Sequence, residues 1–168
     1  MGYTTDFEGS FSVMPPLSEV HREYLLAFAG TRRMRRNPEL LKDRPDPKRR
    51  AVGLSLGVEG GHFVGATGNF GQEHTLDIVS YNSPPEGQPG LWCQWIPNKD
   101  GTAIEWDEGE KFYSYVEWLE YLIEEFLRPW GYEVNGSVRW YGEERSDMGV
   151  IECRENRVSA KKGRLVYE

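Results

Sequence analysis

The sequence predicts an α+β fold: a largely antiparallel β-sheet with two principal amphipathic helices, at about residues 18–36 and 111–128. Three observations carry this. Apolar residues alternate with polar ones over the eleven positions Tyr3–Val13, the period of a half-buried strand. Two segments repeat apolar residues at spacings of three and four, the period of a helix with one buried face. Several short strand candidates separated by Gly, Pro and Asn fill the remainder.

Taken in order, Tyr3, Thr5, Phe7, Phe11 and Val13 share one face of the first strand, with Gly9 among them as a bulge or a point of close approach. Pro15 and Pro16 end it, and Ser18 can cap the following helix, whose face is Leu17, Val20, Tyr24 and Phe28. Gly30 can stop that helix, or the helix can run on through Arg36. Asn37-Pro38-Glu39 starts a second, short helix with Asn as cap and Pro in its first turn. Arg44–Arg50 reads as an exposed connection. Ala51–Leu56, His62–Ala66 and Thr75–Ser80 are strand candidates among the glycines between Gly53 and Gly71. A hairpin follows, Leu91–Ile96 and Thr102–Trp106 around a turn at Asn98–Gly101.

The long helix carries Phe112, Val116, Leu119, Ile123 and Phe126 on one stripe and Glu117, Glu120, Glu124 and Glu125 on the other, with the acidic run Asp107–Glu110 at its start and Pro129 beyond its end. Tyr132–Tyr141, Val150–Arg154, Val158–Ala160 and Leu165–Tyr167 form a prospective meander. Phe7–Phe11 and Val134–Val138 share an apolar-x-Gly-Ser-apolar pattern, which suggests two similar strands.

A chain of 168 residues suits one domain, spanning 1–168, without disulfide or metal support. Its 38% hydrophobic, 28% charged and 13% aromatic residues describe a globular protein. No apolar run reaches membrane-spanning length, and residues 1–10 lack the blocks of a signal peptide. Cys93 and Cys153 form no disulfide framework, so a cytoplasmic location is expected. The net charge of -7 is unevenly distributed. Thr31–Arg50 carries nine basic and three acidic residues, whereas Asp100–Leu127 carries nine acidic residues and Lys111 alone in opposition. That asymmetry points to a charged partner or to internal pairing.

No catalytic constellation emerges. Gly53-Leu54-Ser55-Leu56-Gly57 matches a nucleophile elbow, but no helix pattern follows it and no His lies beyond His74. His21, His62 and His74 lack metal-binding spacing, and neither a metal nor a cofactor is expected. The glycine-rich segment lacks the phosphate-loop ending. Recognition residues are plentiful instead. Arg32, Arg33, Arg35 and Arg36 offer bidentate geometry for phosphates or carboxylates. The acidic remainder repels nucleic acid at long range, so the expected partner is an acidic protein or the chain's own acidic helix. Trp92, Gln94, Trp95 and Trp106 lie in the hairpin, and alternation puts Trp92 and Trp95 on opposite faces, either as a recognition surface or inside a doubly covered sheet.

The opening Met1-Gly2-Tyr3-Thr4-Thr5-Asp6-Phe7-Glu8-Gly9-Ser10-Phe11 with Pro15-Pro16-Leu17 resembles a group of small uncharacterised proteins of bacteria and their phages. So do Thr31-Arg32-Arg33-Met34, the segment Gln88–Trp95, and Gly136–Glu143 leading to Asp147 and Asn156. The resemblance implies a cytoplasmic accessory protein of bacterial or phage origin. The group has no established activity, so no site residue carries over from it. The residues lead to a non-enzymatic binding or regulatory protein that recognises a protein partner through Arg32–Arg36 and the Trp hairpin. Two readings compete: a small hydrolase or transferase on a nucleotide-like ligand, using His62 or His74 with Asp77, and a nucleic-acid-binding protein.

Overall fold

The computed structural model describes residues 2–66 and 74–167, so Gly68 and Gly71 of the glycine-rich segment lie outside the described residues. In chain order the elements are β1 (Asp6–Met14), α1 (Glu19–Ala29), β2 (Arg35–Arg36), α2 (Pro38–Leu41), α3 (Pro47–Ala51), β3 (Ile78–Ser80), β4 (Trp95–Pro97), β5 (Ala103–Trp106), α4 (Tyr115–Leu122), β6 (Glu133–Tyr141), β7 (Met148–Arg154) and β8 (Arg157–Lys162). The architecture is α+β and the main sheet is antiparallel throughout, with strand order β4-β5-β1-β6-β7-β8. The chain divides into two compact units: residues 1–17 with 94–168, and residues 18–93.

The first unit is the six-stranded sheet with α4. Alternation along β1 buries Phe7, Phe11 and Val13, and along β6 it buries Val134, Val138 and Trp140. Ile104, Ile151, Cys153 and Trp95 complete that inner face, and Leu119, Leu122, Ile123 and Phe126 of the long helix supply the rest of the core. The two strands with the shared pattern are neighbours, paired so that Ser10 faces Ser137, Phe11 faces Gly136 and Val138 faces Gly9. Each glycine therefore lies under the other strand's apolar residue. Gly9 has φ +110, and a Cβ there would stand 2.7 Å from the Ser137 carbonyl oxygen. The close approach is between two strands.

The long helix is shorter than the sequence predicts at its start. Ser114 adopts a left-handed conformation (φ 55), so the acidic run Asp107–Glu110 precedes a loop and does not sit on the helix terminus. After Leu122 the helix widens into a π segment, Ile123–Leu127, closed by the Arg128 N–H donating to Ile123 at 2.8 Å. The meander β6-β7-β8 forms as expected, although Leu165–Tyr167 adds no strand to it.

The second unit is built from short pieces. The Ser18 side chain caps α1, and Gly30 closes it by donating to Leu26. The helix expected to reach Arg36 thus ends at Ala29, because Arg35 and Arg36 pair with β3. Asn37 caps α2 as predicted. Arg44–Arg50 is not an exposed connection: it contains most of α3, and both Asp46 and Arg49 are buried. Ala51–Leu56 and His62–Ala66 are not strands, and the chain between them makes a short 3₁₀ turn at Val58–Gly60.

Candidate functional site

The four arginines of residues 32–36 have their partners inside the second unit. Arg33 is fully buried, lies 4.3 Å over the Phe28 ring, and donates to the carbonyls of Phe28, Gly61 and Phe63. Arg36, also buried, donates to Asp77 at 2.7 Å. Arg32 stacks on Tyr81 and donates to the Tyr81 carbonyl and the Asn82 side chain. Arg35 pairs with Glu59 at 2.8 Å. Internal pairing is present, but the acidic partners are Asp77 and Glu59, which replace the expected acidic helix in that role. The cause is the irregular backbone at 57–66, which has little ladder bonding of its own. Buried carbonyls need donors, and each guanidinium supplies five.

Asp77 is the electrostatic centre of this unit. Burial alone pushes its carboxyl up, but the hydrogen bonds from Thr75 and Arg36, with the charges of Arg36 and Arg44, outweigh that and hold it below the usual range. Asp77 borders a hollow of about 610 Å³ with Leu40, Arg44, His74, Thr75 and Leu76. His74 stacks on Tyr81, and the His62 ring lies against Gly57 with Nδ1 3.2 Å from the Ser55 carbonyl. Asp77 is thus occupied in neutralising two arginines, and Ser55 sits on an exposed irregular segment followed by a three-residue 3₁₀ turn. No group of three or more His, Cys, Asp or Glu that could hold a metal occurs among the described residues.

The tryptophan hairpin is core more than surface. Trp95 is 1% exposed and donates Nε1–H to the Tyr115 carbonyl. Phe7 stands at the centre of an aromatic cluster, with ring centroids 5.4 Å from Trp95, 5.3 Å from Trp106, 5.7 Å from Phe112 and 4.9 Å from Tyr115. Edge-to-face packing of this kind adds to simple area burial. Gln94 accepts from Trp106 and donates to the Glu110 carbonyl, so it is spent on holding the loop after β5. Trp92 precedes the strand, which begins at Trp95, and is half-buried in the second unit, so the alternation argument does not reach it. The hairpin borders one hollow of about 380 Å³, between Phe7, Gly9, Ile96 and Trp106 and rimmed by Glu105, Asp107 and Glu108. Burial raises the Asp107 carboxyl there, against a hydrogen bond from the Gly109 N–H.

A third surface has no conspicuous signature in the sequence. The main sheet turns an exposed face outward, and strand pairing sets its rows. One row runs Glu8, Arg139, Val150, Lys161; the next runs Asp6, Tyr141, Met148. Around Val150 and Met148 lies a groove of about 350 Å³, also lined by Arg139, Tyr141, Lys161, Lys162 and Arg164. Lys161 reaches Glu152 at 3.4 Å, whereas Arg139, Lys162 and Arg164 have no ion-pair partner among the described residues. Glu8 stands opposite Arg139 without pairing to it. The available signal was local: residues 154–164 carry Arg154, Arg157, Lys161, Lys162 and Arg164 against Glu155. Averaging over the acidic second half concealed it.

No protein-family model matches the chain, no curated protein is detectably similar in sequence, and no solved structure is detectably similar. The arrangement itself carries the functional argument. It offers cations unpaired among the described residues around an apolar floor, a combination suited to binding. No helix among the described residues is long and apolar enough to cross a membrane.

Proposed function

We propose that this protein is a non-enzymatic binding protein that recognises an acidic protein partner through the basic groove of its outer sheet face. Recognition falls to Arg139, Lys161 and Arg164 in place of Arg32–Arg36, whose donors are used internally. One observation supports it above the others: Arg139 and Arg164, without ion-pair partners among the described residues, gather with Lys161 around Val150 and Met148 in an exposed groove. Interface cores of this type combine apolar contact with a charged rim that steers association. A cytoplasmic setting belongs to the same reading, and two buried free cysteines are compatible with it.

An acidic polypeptide fits better than nucleic acid because the positive charge is narrow. One strand further in, Asp6 and Glu8 occupy the same face and repel the broad, uniformly charged backbone of a nucleic acid laid across the sheet, whereas a narrower acidic polypeptide along β7 and β8 avoids them. Fluorescence anisotropy with labelled polyglutamate and with a single-stranded oligonucleotide of equal charge tests the choice. Polyglutamate should bind more tightly, with affinity falling as salt rises. Arg139→Glu combined with Lys161→Glu should weaken it about tenfold or more, since each reversal replaces an attraction with a repulsion of similar size. Unchanged binding by that double variant, or tighter binding of the oligonucleotide, would overturn the proposal.

A further inference from the structure

Resting on that reading, we infer that the acidic partner binds as an added β-strand along the free edge of β8. Strand order leaves β8 at one end of the sheet, paired on one side with β7. The phase of that pairing identifies the groups left over. The Gly163 N–H donates to the Met148 carbonyl at 2.8 Å, so residues of the same parity, Arg157, Ser159 and Lys161, direct their backbone groups to β7. The two-residue turn Glu155-Asn156 agrees: both residues are left-handed (φ 48 and 68), the geometry in which the flanking Arg154 and Arg157 form a hydrogen-bonded pair. The backbone N–H and C=O groups of Val158, Ala160 and Lys162 therefore face away from β7. None of them has a hydrogen-bond partner among the described residues. Ala160 and Lys162 are exposed.

This edge is also rigid where it needs to be. Asn156 donates to the Tyr132 carbonyl at 3.0 Å and accepts from the Val134 N–H at 2.6 Å, which straps the β7–β8 turn to the start of β6. The ladder groups of β8 are thus presented in extended form before any partner arrives, and preorganisation lowers the ordering cost of binding. Six residues in β8 present an edge about 20 Å long.

Side-chain chemistry selects the occupant. Arg157 and Lys161 project on the outer face in the rows that hold Arg154 and Arg139, so an added strand with acidic residues at alternate positions would meet them. A second copy of β8 would oppose cation to cation, and lysines on an edge discourage such self-pairing. The opposite sheet edge, β4, is three residues long and contains Pro97, which lacks an N–H, so it makes a poor complement for β8.

The test uses the whole protein and a short, end-blocked peptide alternating Glu and Thr. Hydrogen exchange followed by NMR should show that the peptide protects the amides of Val158, Ala160 and Lys162, while those of Arg157, Ser159 and Lys161 are already protected by β7. N-methylation of the peptide at alternate residues keeps its charge but removes ladder donors, and should weaken binding about tenfold or more. Ala160→Pro should do the same from the protein side, since it deletes an edge N–H without touching the β7 ladder. Equal affinity for the N-methylated peptide, with binding still weakened by Arg139→Glu/Lys161→Glu, would overturn strand addition and leave the acidic-partner reading standing. Binding indifferent to that charge reversal would overturn both. Protection of the three amides that rises with protein concentration without peptide would replace the acidic strand with a second copy, and so overturn the inference.

Discussion

Replacing Asp77 with Asn tests whether the second unit is held by its buried charges. Asp77 is 2% exposed and accepts from Arg36 at 2.7 Å and from Arg44 at 2.8 Å. Asn is nearly the same size, yet it removes the negative charge and turns an amide N–H₂ toward donors. Arg44, one-third exposed, can recover hydration, whereas Arg36 is also 2% exposed and loses its counter-charge in place. Breaking a buried pair from one side costs about 3–5 kcal/mol. For a chain of this size that is a fall in Tm of roughly 6–20 °C. Urea unfolding followed by circular dichroism measures it. The dependence on pH is fixed in sign. The folded-state pKa of Asp77 lies below its ordinary 3.8, so its stabilisation is fully present above that value and disappears as pH falls through the lowered one. The difference between wild type and Asp77→Asn should be constant near neutrality and close in acid. Adding Arg36→Met should return part of the loss, because the orphaned charge is then gone. A variant within about 1 kcal/mol of wild type, or a gap that persists unchanged in strong acid, would refute the reasoning.

Three further outcomes follow from the first unit. Gly9→Ala should destabilise by about 1–3 kcal/mol in urea titration, since φ +110 and the Ser137 carbonyl 2.7 Å from the new Cβ both oppose it. Asp147→Ala should cost about 1–3 kcal/mol in the same assay, because it strands the Tyr3 hydroxyl and the Trp140 Nε1–H, which donate to Asp147 at 2.7 and 3.0 Å. Cys153, whose thiol burial pushes up to about 11 against a hydrogen bond from the Asn156 backbone and the Arg128 charge, should resist a thiol-specific disulfide reagent at mildly alkaline pH and react after unfolding. Rapid labelling of Cys153 in the native protein would contradict its burial.

Particular residues show where sequence reasoning reached and where it stopped. The first strand was legible because Phe7, Phe11 and Val13 recur at period two, and the long helix because Leu119, Ile123 and Phe126 recur at helical spacing. Capping by Ser18 and Asn37 was legible for the same reason: the bonds span two or three residues. The end of the first helix was a closer contest. Gly30 favoured a stop while the residues to Arg36 could have extended the helix, and the decision came from β3, more than forty positions away. Arg44–Arg50 looked exposed because it is rich in charge and proline. Its burial depends on the Val64 and Gly65 N–H groups donating to Asp46, which no local pattern encodes. The candidate site was less legible still. Arg139 and Lys161 become neighbours only through the rows of β6, β7 and β8.

By itself, the sequence determined the fold class, the periodic elements, their caps and the uneven placement of charge. Those properties rest on interactions between residues a few positions apart, where periodicity and backbone preference act directly. Only the tertiary structure decided which charges are used internally and which remain for a partner. It gave the conspicuous Arg32–Arg36 to the irregular carbonyls and carboxylates of its own unit, and left the less conspicuous Arg139 and Arg164 without ion pairs among the described residues. The physical reason is that desolvation and pairing depend on distance in space, and a residue's counter-charge can stand anywhere along the chain.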